Sequence, residues 1–180
     1  MATITALTPA QIAALPTATI AALTTTEISG MTTDQVAALT SVQMAALTST
    51  ETGAFTTTQV PAFSAAGVKG FGSTQIMGFG SAEIAVLTSA QIPALAVAAV
   101  AALTTTETAA LTTTQVAALT ATQVAGLTTS QVAALTTTQV PVLSTGDIKA
   151  LTTTEVKALT SGQVAVLTTT QVAALSAAQV

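Results

Sequence analysis

The sequence lacks most of the side chains that carry chemistry. Its 180 residues include no Cys, His, Trp, Tyr or Arg, and half of them are apolar. Without histidine and cysteine, a threonine nucleophile has no paired imidazole base, and a transition metal loses its preferred nitrogen and sulfur ligands. We therefore expect no catalytic residue, no metal site and no cofactor, and we predict that the protein is not an enzyme.

Basic residues and long apolar runs are also scarce. The basic side chains are Lys69, Lys149 and Lys157, and the net charge is -4. Because nucleic-acid binding needs several cations to neutralise phosphates, we predict no nucleic-acid partner. The longest run without Thr, Ser or a charge, residues 90–103, contains Gln91 and Pro93. A membrane-spanning helix takes about 20 apolar residues, so we predict no transmembrane span.

What the sequence does contain is a repeat of eight residues. From Leu7 the chain divides into 21 complete octads and a final six residues, without an insertion or a deletion. A fixed period of this kind is typical of solenoids, in which each repeat stacks on its neighbours. We predict one octapeptide-repeat solenoid over residues 1–180, with full octads over 7–174 and partial repeats at 1–6 and 175–180.

The octad has the consensus Leu-Thr-Thr-Thr-Gln-Val-Ala-Ala, numbered here as positions one to eight. Position one is Leu in 17 of 22 octads, and position six is mostly Val or Ile. In a helix, position six and the next position one are three residues apart and share a face. In the most regular tract, the predicted core residues are Leu111, Val116, Leu119, Val124, Leu127 and Val132.

Positions two and five together form a capping box. The Thr hydroxyl accepts from the third backbone N–H of a new helix, and the Gln or Glu side chain accepts from the N–H of the cap residue. Positions one and six are then placed to form a hydrophobic staple around the cap. The predicted helix caps of the same tract are Thr112, Gln115, Thr120, Gln123, Thr128 and Gln131.

The few charged residues agree with this reading. A helix dipole favours acids in the first turn and bases near the last. All three lysines occupy position seven, and Asp34 occupies position four. The other six acids occupy position five: Glu27, Glu51, Glu83, Glu107, Asp147 and Glu155.

A β-solenoid is the alternative, because Thr, Val and Ile favour strands. In an extended chain, however, positions one and six would face opposite sides. Pro61, Pro93 and Pro141 at position seven remove a helical hydrogen bond, so the helices are expected to be one or two turns long and partly 3₁₀. We predict an all-α fold: a tight solenoid of very short N-capped helices, one per octapeptide.

Two further features bear on how the octads stack. The three position-seven prolines are separated by multiples of sixteen residues, which points to two octads per turn of the solenoid. Four successive octads carry Phe at position one, which we interpret as a packing variation or as a lateral contact between molecules. These residues are Phe55, Phe63, Phe71 and Phe79.

Two resemblances to known families follow from these motifs. The stretch "LTPAQIAAL" at residues 7–15 resembles the opening of a TAL effector repeat, but the base-reading residues are absent, so DNA binding does not carry over. The pattern "LTTxQVAA" resembles the octapeptide tracts of large bacterial repetitive surface proteins. That resemblance implies an extracellular structural role at a bacterial cell surface.

The surface and the end octads indicate self-association. Soluble solenoids usually end in polar capping repeats, whereas both end octads here are as apolar as inner ones. Two explanations fit: the chain is a fragment of a longer array, or it is a subunit that associates end to end. We also expect lateral association, because so few charges repel. The expected function is a self-associating rod that forms an extracellular fibre, stalk or surface-layer element. The alternative is a Thr-rich rod that binds ice, polysaccharide or a protein partner.

Overall fold

The computed structural model of the protein describes residues 4–180, and in that range it consists of short helices without a strand. Each α-helix has four to six residues. The all-α prediction is confirmed, and the β-solenoid alternative is wrong. The α-helices are α1 (Pro9–Ala13), α2 (Thr17–Ile20), α3 (Thr25–Ser29), α4 (Thr33–Ala37), α5 (Ser41–Ala45), α6 (Ser49–Thr52), α7 (Ala65–Val68), α8 (Ser73–Ile76), α9 (Ser81–Ala85), α10 (Val97–Ala101), α11 (Thr105–Ala110), α12 (Thr113–Ala117), α13 (Ala121–Val124), α14 (Thr129–Ala134), α15 (Thr145–Ala150), α16 (Thr153–Lys157), α17 (Ser161–Ala165) and α18 (Thr169–Ala174).

Consecutive helices are joined by two extended residues. Leu111 has φ -56° and ψ 135°, and Thr112 has φ -71° and ψ 158°, after which α12 begins. No residue in the range 4–180 has a positive φ. The corners therefore need no left-handed residue, even where a glycine ends the helix, as at Gly30 and Gly53.

Four segments are 3₁₀-helical, and three of them contain proline. In α13 the position-seven N–H, that of Ala125, donates to the carbonyl of Ala121 at 2.9 Å. Proline has no N–H to make this bond, so the chain tightens there. The 3₁₀ segments are Ile4–Ala6, Val60–Ala62, Ile92–Ala94 and Val140–Val142.

The helices stack at a separation of three octads. Helix α1 packs against α4, α2 against α5 and α3 against α6, and near the other end α15 packs against α18. Hydrogen bonds between neighbouring turns join residues 28 to 31 apart. One turn of the solenoid, called a coil here, therefore takes between three and four octads.

The expectation of two octads per coil, drawn from the proline spacing, is wrong. Proline acts within its own octad, where it removes one N–H and favours a 3₁₀ turn. Its spacing therefore carries no information about which octads are neighbours.

Positions one and six fill the interior of the stack. Side chains at these positions are at most 7 % exposed in the regular tract, which places there the predicted core residues Leu111, Val116, Leu119, Val124, Leu127 and Val132. Burial of this kind supplies the stability that helices of four to six residues lack on their own.

The four phenylalanines also lie inside, so the interpretation as a lateral contact is wrong. Phe55, Phe63, Phe71 and Phe79 are at most 3 % exposed. Successive rings meet edge to face with centroids 4.9, 5.3 and 5.4 Å apart, the geometry that aromatic quadrupoles favour. Four successive position-one residues span about one coil, and their side chains meet at its centre.

The octads that begin with phenylalanine also contain glycines, some of which lie where two coils touch. A Cβ added at Gly70 would overlap the carbonyl oxygen of Ser41, and one added at Gly78 would overlap that of Ser49. Glycine here permits backbone to lie directly on the backbone of the preceding coil.

Candidate functional site: the interface between successive coils

Thirteen of the eighteen α-helices in residues 4–180 begin with a reciprocal pair of hydrogen bonds. The Gln115 N–H donates to the Thr112 hydroxyl at 3.2 Å, and the Thr112 N–H donates to Gln115 Oε1 at 2.7 Å. Thr120 with Gln123 and Thr128 with Gln131 have the same geometry. The structure thus places all six of these residues at helix N-termini.

Two caps keep only half of this arrangement. Gly72 and Gly80 have no side chain that could accept, but their N–H groups still donate to Gln75 Oε1 and Glu83 Oε2. The side chain at position five is therefore the part of the cap that persists when Thr is absent.

The glutamine at position five also bonds to the preceding coil. Gln123 Nε2 donates to the carbonyl of Ile92 at 2.8 Å and to that of Leu95 at 2.9 Å. Leu95 lies at a corner, where its carbonyl has no partner within a helix. We call this side chain, with Oε1 on its own cap and Nε2 on two carbonyls of the preceding coil, an amide clamp.

The amide clamp recurs along the whole stack. In twelve octads, glutamine Nε2 donates to the position-one carbonyl 28 residues earlier at 2.6–2.9 Å. In eleven of these octads it also donates to the carbonyl 31 residues earlier. In the twelfth, Gln75 Nε2 donates to the carbonyl of Ala45 instead. These amides are buried, so each bond is shielded from water. The twelve residues are Gln35, Gln43, Gln59, Gln75, Gln91, Gln115, Gln123, Gln131, Gln139, Gln163, Gln171 and Gln179.

Sequence reasoning assigned the glutamines to caps and missed this second bond. A signal was present, because position five holds Gln in 13 octads and an acid in six. Either residue completes a capping box, but only the amide also has a hydrogen to donate. The excess of Gln indicates a donor role outside the cap.

Acidic residues at the same position make the cap without the clamp. Thr152 N–H donates to Glu155 Oε2 at 2.7 Å, and Ser144 N–H donates to Asp147 Oδ2 at 2.8 Å. Both acids are buried. A carboxylate has no proton to give, so the carbonyl 28 residues earlier receives no amide; for Glu155 that carbonyl belongs to Leu127.

Glu27, in the first coil, shows how the hydrogen bonds of a cap alone affect the pKa of an acid at position five. The Thr24 backbone N–H donates to its carboxylate at 2.9 Å and the Thr24 hydroxyl at 2.8 Å. These bonds, the backbone one first, lower the pKa of Glu27, and burial opposes them.

The interface joins two unlike faces. The donor face carries position five and points toward the preceding coil. The acceptor face carries the carbonyls of positions six and one, together with the position-six side chain. Contacts between unlike faces are head to tail and can propagate without limit.

The chemistry of the interface is that of repeated hydrogen bonds and apolar packing. Over residues 4–180, no group of three or more His, Cys, Asp or Glu is placed to hold a metal ion. In that same part of the chain, no helix is long and apolar enough to cross a membrane. What the donor face fits is the acceptor face of another coil.

Comparison with known proteins identifies the repeat. A family model described as the ALTTAQ repeat matches residues 17–49, 117–145 and 140–177, which together cover more than half of the chain. No curated protein matches, and neither does any solved structure. The likeness to bacterial surface proteins and to TAL effectors remains a prediction from the sequence.

Proposed function

Because the chain belongs to the ALTTAQ repeat family and one set of hydrogen bonds joins its octads throughout, we propose that the protein is a structural rod that self-associates. In this role it forms a fibre, stalk or surface-layer element outside a bacterial cell. The observation that carries the proposal is the amide clamp, which joins a side chain present in most octads to backbone carbonyls present in all of them. Any octad with glutamine at position five can therefore bond to the backbone of another coil in the same way.

The composition of the surface supports association. Ten charged side chains are spread over 180 residues, so little electrostatic repulsion opposes contact between molecules. Exposed positions are mainly threonine, serine and alanine. Such a surface suits a material made of many identical units more than a binding module with a varied face.

The proposal of an extracellular location rests on the small number of tryptic sites and on the resemblance to surface proteins. Trypsin-like proteases cut after Lys or Arg, and the chain offers three lysines, all exposed. Surface labelling of intact cells that express the protein tests the location. Labelling only after lysis would contradict it.

Electron microscopy and sedimentation of the purified chain test self-association. We expect the sedimentation coefficient to rise with protein concentration, and micrographs to show particles longer than one chain. The lysine-poor surface makes the association weakly dependent on salt. A single monomeric species at high concentration, without elongated particles, would contradict the proposal.

One observation favours the alternative, a Thr-rich binding rod. Hydroxyl side chains at position three recur 24 residues apart and are exposed, as at Ser89, Thr113, Thr137 and Ser161. Since helices stack at this separation, these hydroxyls form a row along the rod. Thermal hysteresis, or retention on a polysaccharide column by the monomer, would favour this role over self-association.

A further inference from the structure

We propose that one pair of stacked segments, residues 39–54 and 63–78, fixes the register in which the octads of the whole chain stack. Helices α5 and α6 belong to the first segment, and α7 and α8 to the second; α5 packs against α7, and α6 against α8. We call these two segments the matched pair. Its role concerns the single chain and does not depend on self-association.

Regular octads leave the register open. An amide clamp bonds to backbone carbonyls, which every octad has, and the core holds similar apolar residues throughout. A coil with one octad more or fewer would offer the same bonds and the same kind of packing. A unique register therefore requires residues that fit at one separation only.

Four glycines of the matched pair meet the backbone of the opposite segment. A Cβ added at Gly53 would lie 2.7 Å from the carbonyl oxygen of Gly78, and one added at Gly67 would lie 2.8 Å from that of Leu39. Those added at Gly70 and Gly78 would overlap carbonyl oxygens of the first segment. Among residues 4–180, no other glycine would meet the backbone of a neighbouring coil within 3.0 Å. All four glycines thus belong to a single interface of the rod.

A buried hydroxyl adds a directional bond to the same interface. Thr52 lies at position six, where most octads hold Val or Ile, and it is fully buried. Its hydroxyl makes its shortest hydrogen bond, 2.7 Å, to the carbonyl of Gln75 in the second segment. Thr108, the other threonine at position six, is equally buried, but its hydroxyl donates at 2.8 Å to Thr104 in its own octad. The bond between coils is therefore a property of the matched pair rather than of threonine.

The matched residues fit at a separation of three octads. A register with one octad more would bring Val86 to the place of Gly78, and one octad fewer would bring Ala62 to the place of Gly70. Either side chain would overlap a carbonyl oxygen of the first segment, so the coils would have to move apart and lose the remaining close contacts. In the regular tract, the same shift mostly exchanges one alanine at position eight for another.

Stacking that starts at the matched pair would carry its register to the rest of the chain. Repeat proteins fold by nucleation at one place and the addition of neighbouring repeats. The four buried phenylalanines lie in or beside the matched pair and give it the largest apolar side chains of the core. Each further octad then meets a coil whose size is already set.

Disulfide trapping in the regular tract reports the register, since the chain contains no cysteine. Thr113→Cys with Val142→Cys joins positions that have the same relationship as Val97 and Gly126, where the valine side chain touches the glycine. This is the native link. Thr105→Cys with Val142→Cys, the shifted link, joins positions one octad farther apart. Each full-length chain is unfolded with its thiols reduced, refolded by dilution and oxidised, and the remaining free thiol is measured.

Both links are introduced separately into the parent, a consensus variant and a control variant. The consensus variant gives the matched pair the commonest residue at each position: Thr52→Val, Gly53→Ala, Gly67→Gln, Gly70→Ala and Gly78→Ala. The control variant restores the consensus outside the matched pair: Thr108→Val, Gly146→Thr and Gly162→Thr. Because other coils are built from the same residues, both variants should fold as rods.

In the parent and the control we expect the native link in about tenfold excess over the shifted link, and in the consensus variant about equal yields of the two. A consensus variant that keeps the ratio of the parent, or a control that loses it, would overturn the proposal. Loss of the helical circular dichroism signal in the consensus variant would overturn it too, because the matched residues would then hold the fold rather than its register. Self-association enters neither yield, so failure here leaves the proposed function standing.

Discussion

The side-chain amide of Gln123 donates to the carbonyl of Leu95, which lies 28 residues earlier, at 2.9 Å. Its oxygen at the same time accepts from the N–H of Thr120 at 2.9 Å. One side chain thus begins a helix and fixes the coil before it. Local structure and stacking are coupled in the same residue, which is why so short a helix persists.

Changing Gln123 to Glu separates these two roles. The variant keeps the cap but places a carboxylate oxygen against the carbonyls of Ile92 and Leu95. Because the Leu95 carbonyl loses its amide donor and the Ile92 carbonyl keeps only the Leu95 N–H, we expect a loss of about 1–3 kcal/mol in the free energy of unfolding. Chemical denaturation at neutral pH measures it. Gln11→Glu is the control, since within residues 4–180 Gln11 makes its cap without a hydrogen bond to another coil, and an equal loss there would refute the clamp.

Changing Glu155 to Gln should have the opposite effect. The new amide would reach the carbonyls of Val124 and Leu127, the positions 31 and 28 residues earlier. We expect a gain of about 0.5–1.5 kcal/mol, the net worth of typical hydrogen bonds. Glu27→Gln, in the first coil, should give no gain. Thermal unfolding of the parent and of the two variants measures these differences. A stabilised Glu27→Gln variant would contradict this explanation.

Glycine should matter where backbones touch and nowhere else. In Gly78→Ala the new Cβ would overlap the Ser49 carbonyl oxygen. Forced repacking of this kind costs about 1–3 kcal/mol. In Gly162→Ala the nearest atom is 3.7 Å away, and alanine in α17 should stabilise by up to about 1 kcal/mol. Urea midpoints of both variants test the contrast; a harmless Gly78→Ala would show that the coils are not in close contact.

The Phe71 side chain should be the most costly core residue to remove. It is fully buried, with its ring 5.3 Å from that of Phe63 and 5.4 Å from that of Phe79. Phe71→Ala should lower the free energy of unfolding by about 3–5 kcal/mol. Phe71→Leu, which restores the usual octad residue, should lose less. If the two losses were equal, the volume that leucine restores would contribute nothing, and the whole loss would come from the ring contacts.

Acidification should remove the contribution of Glu27. Its pKa is lowered in the folded chain by the Thr24 N–H and hydroxyl. The ionised Glu27 carboxylate therefore stabilises the folded chain. Its contribution is complete above the pKa of the unfolded chain, about 4.3, and is lost as the pH falls through the lower pKa of the folded chain. Melting temperatures between pH 6 and pH 3 should therefore fall more for the parent than for Glu27→Gln. Parallel curves would contradict the assignment.

Local structure was largely predictable because its signals lie within one octad. The Thr112 and Gln115 pair is three residues apart, and the apolar Val116 and Leu119 share a helix face at the same short range. These patterns fix where a helix begins and which side is buried, whatever the neighbours are.

The stacking was not predictable, because a perfect repeat makes every octad an equally good partner. Nothing in the octad of Gln123 distinguishes the octad of Leu95 from the one before or after it. The interpretation of Phe71 as a lateral contact failed for a related reason. Position one points inward in every octad, so a larger residue there changes the core and leaves the outer surface unaltered.

The corners made of two extended residues have a consequence for how such an array can change. Since no corner depends on a special backbone conformation, duplicating or deleting eight codons inserts or removes a complete unit that folds like the rest. Every glutamine downstream shifts by a whole unit and meets an equivalent pair of carbonyls. An insertion or deletion that is not a multiple of eight residues would bring a threonine or an alanine to the position of the glutamine. Length can therefore vary freely among descendants of one gene, while the spacing within a unit stays fixed.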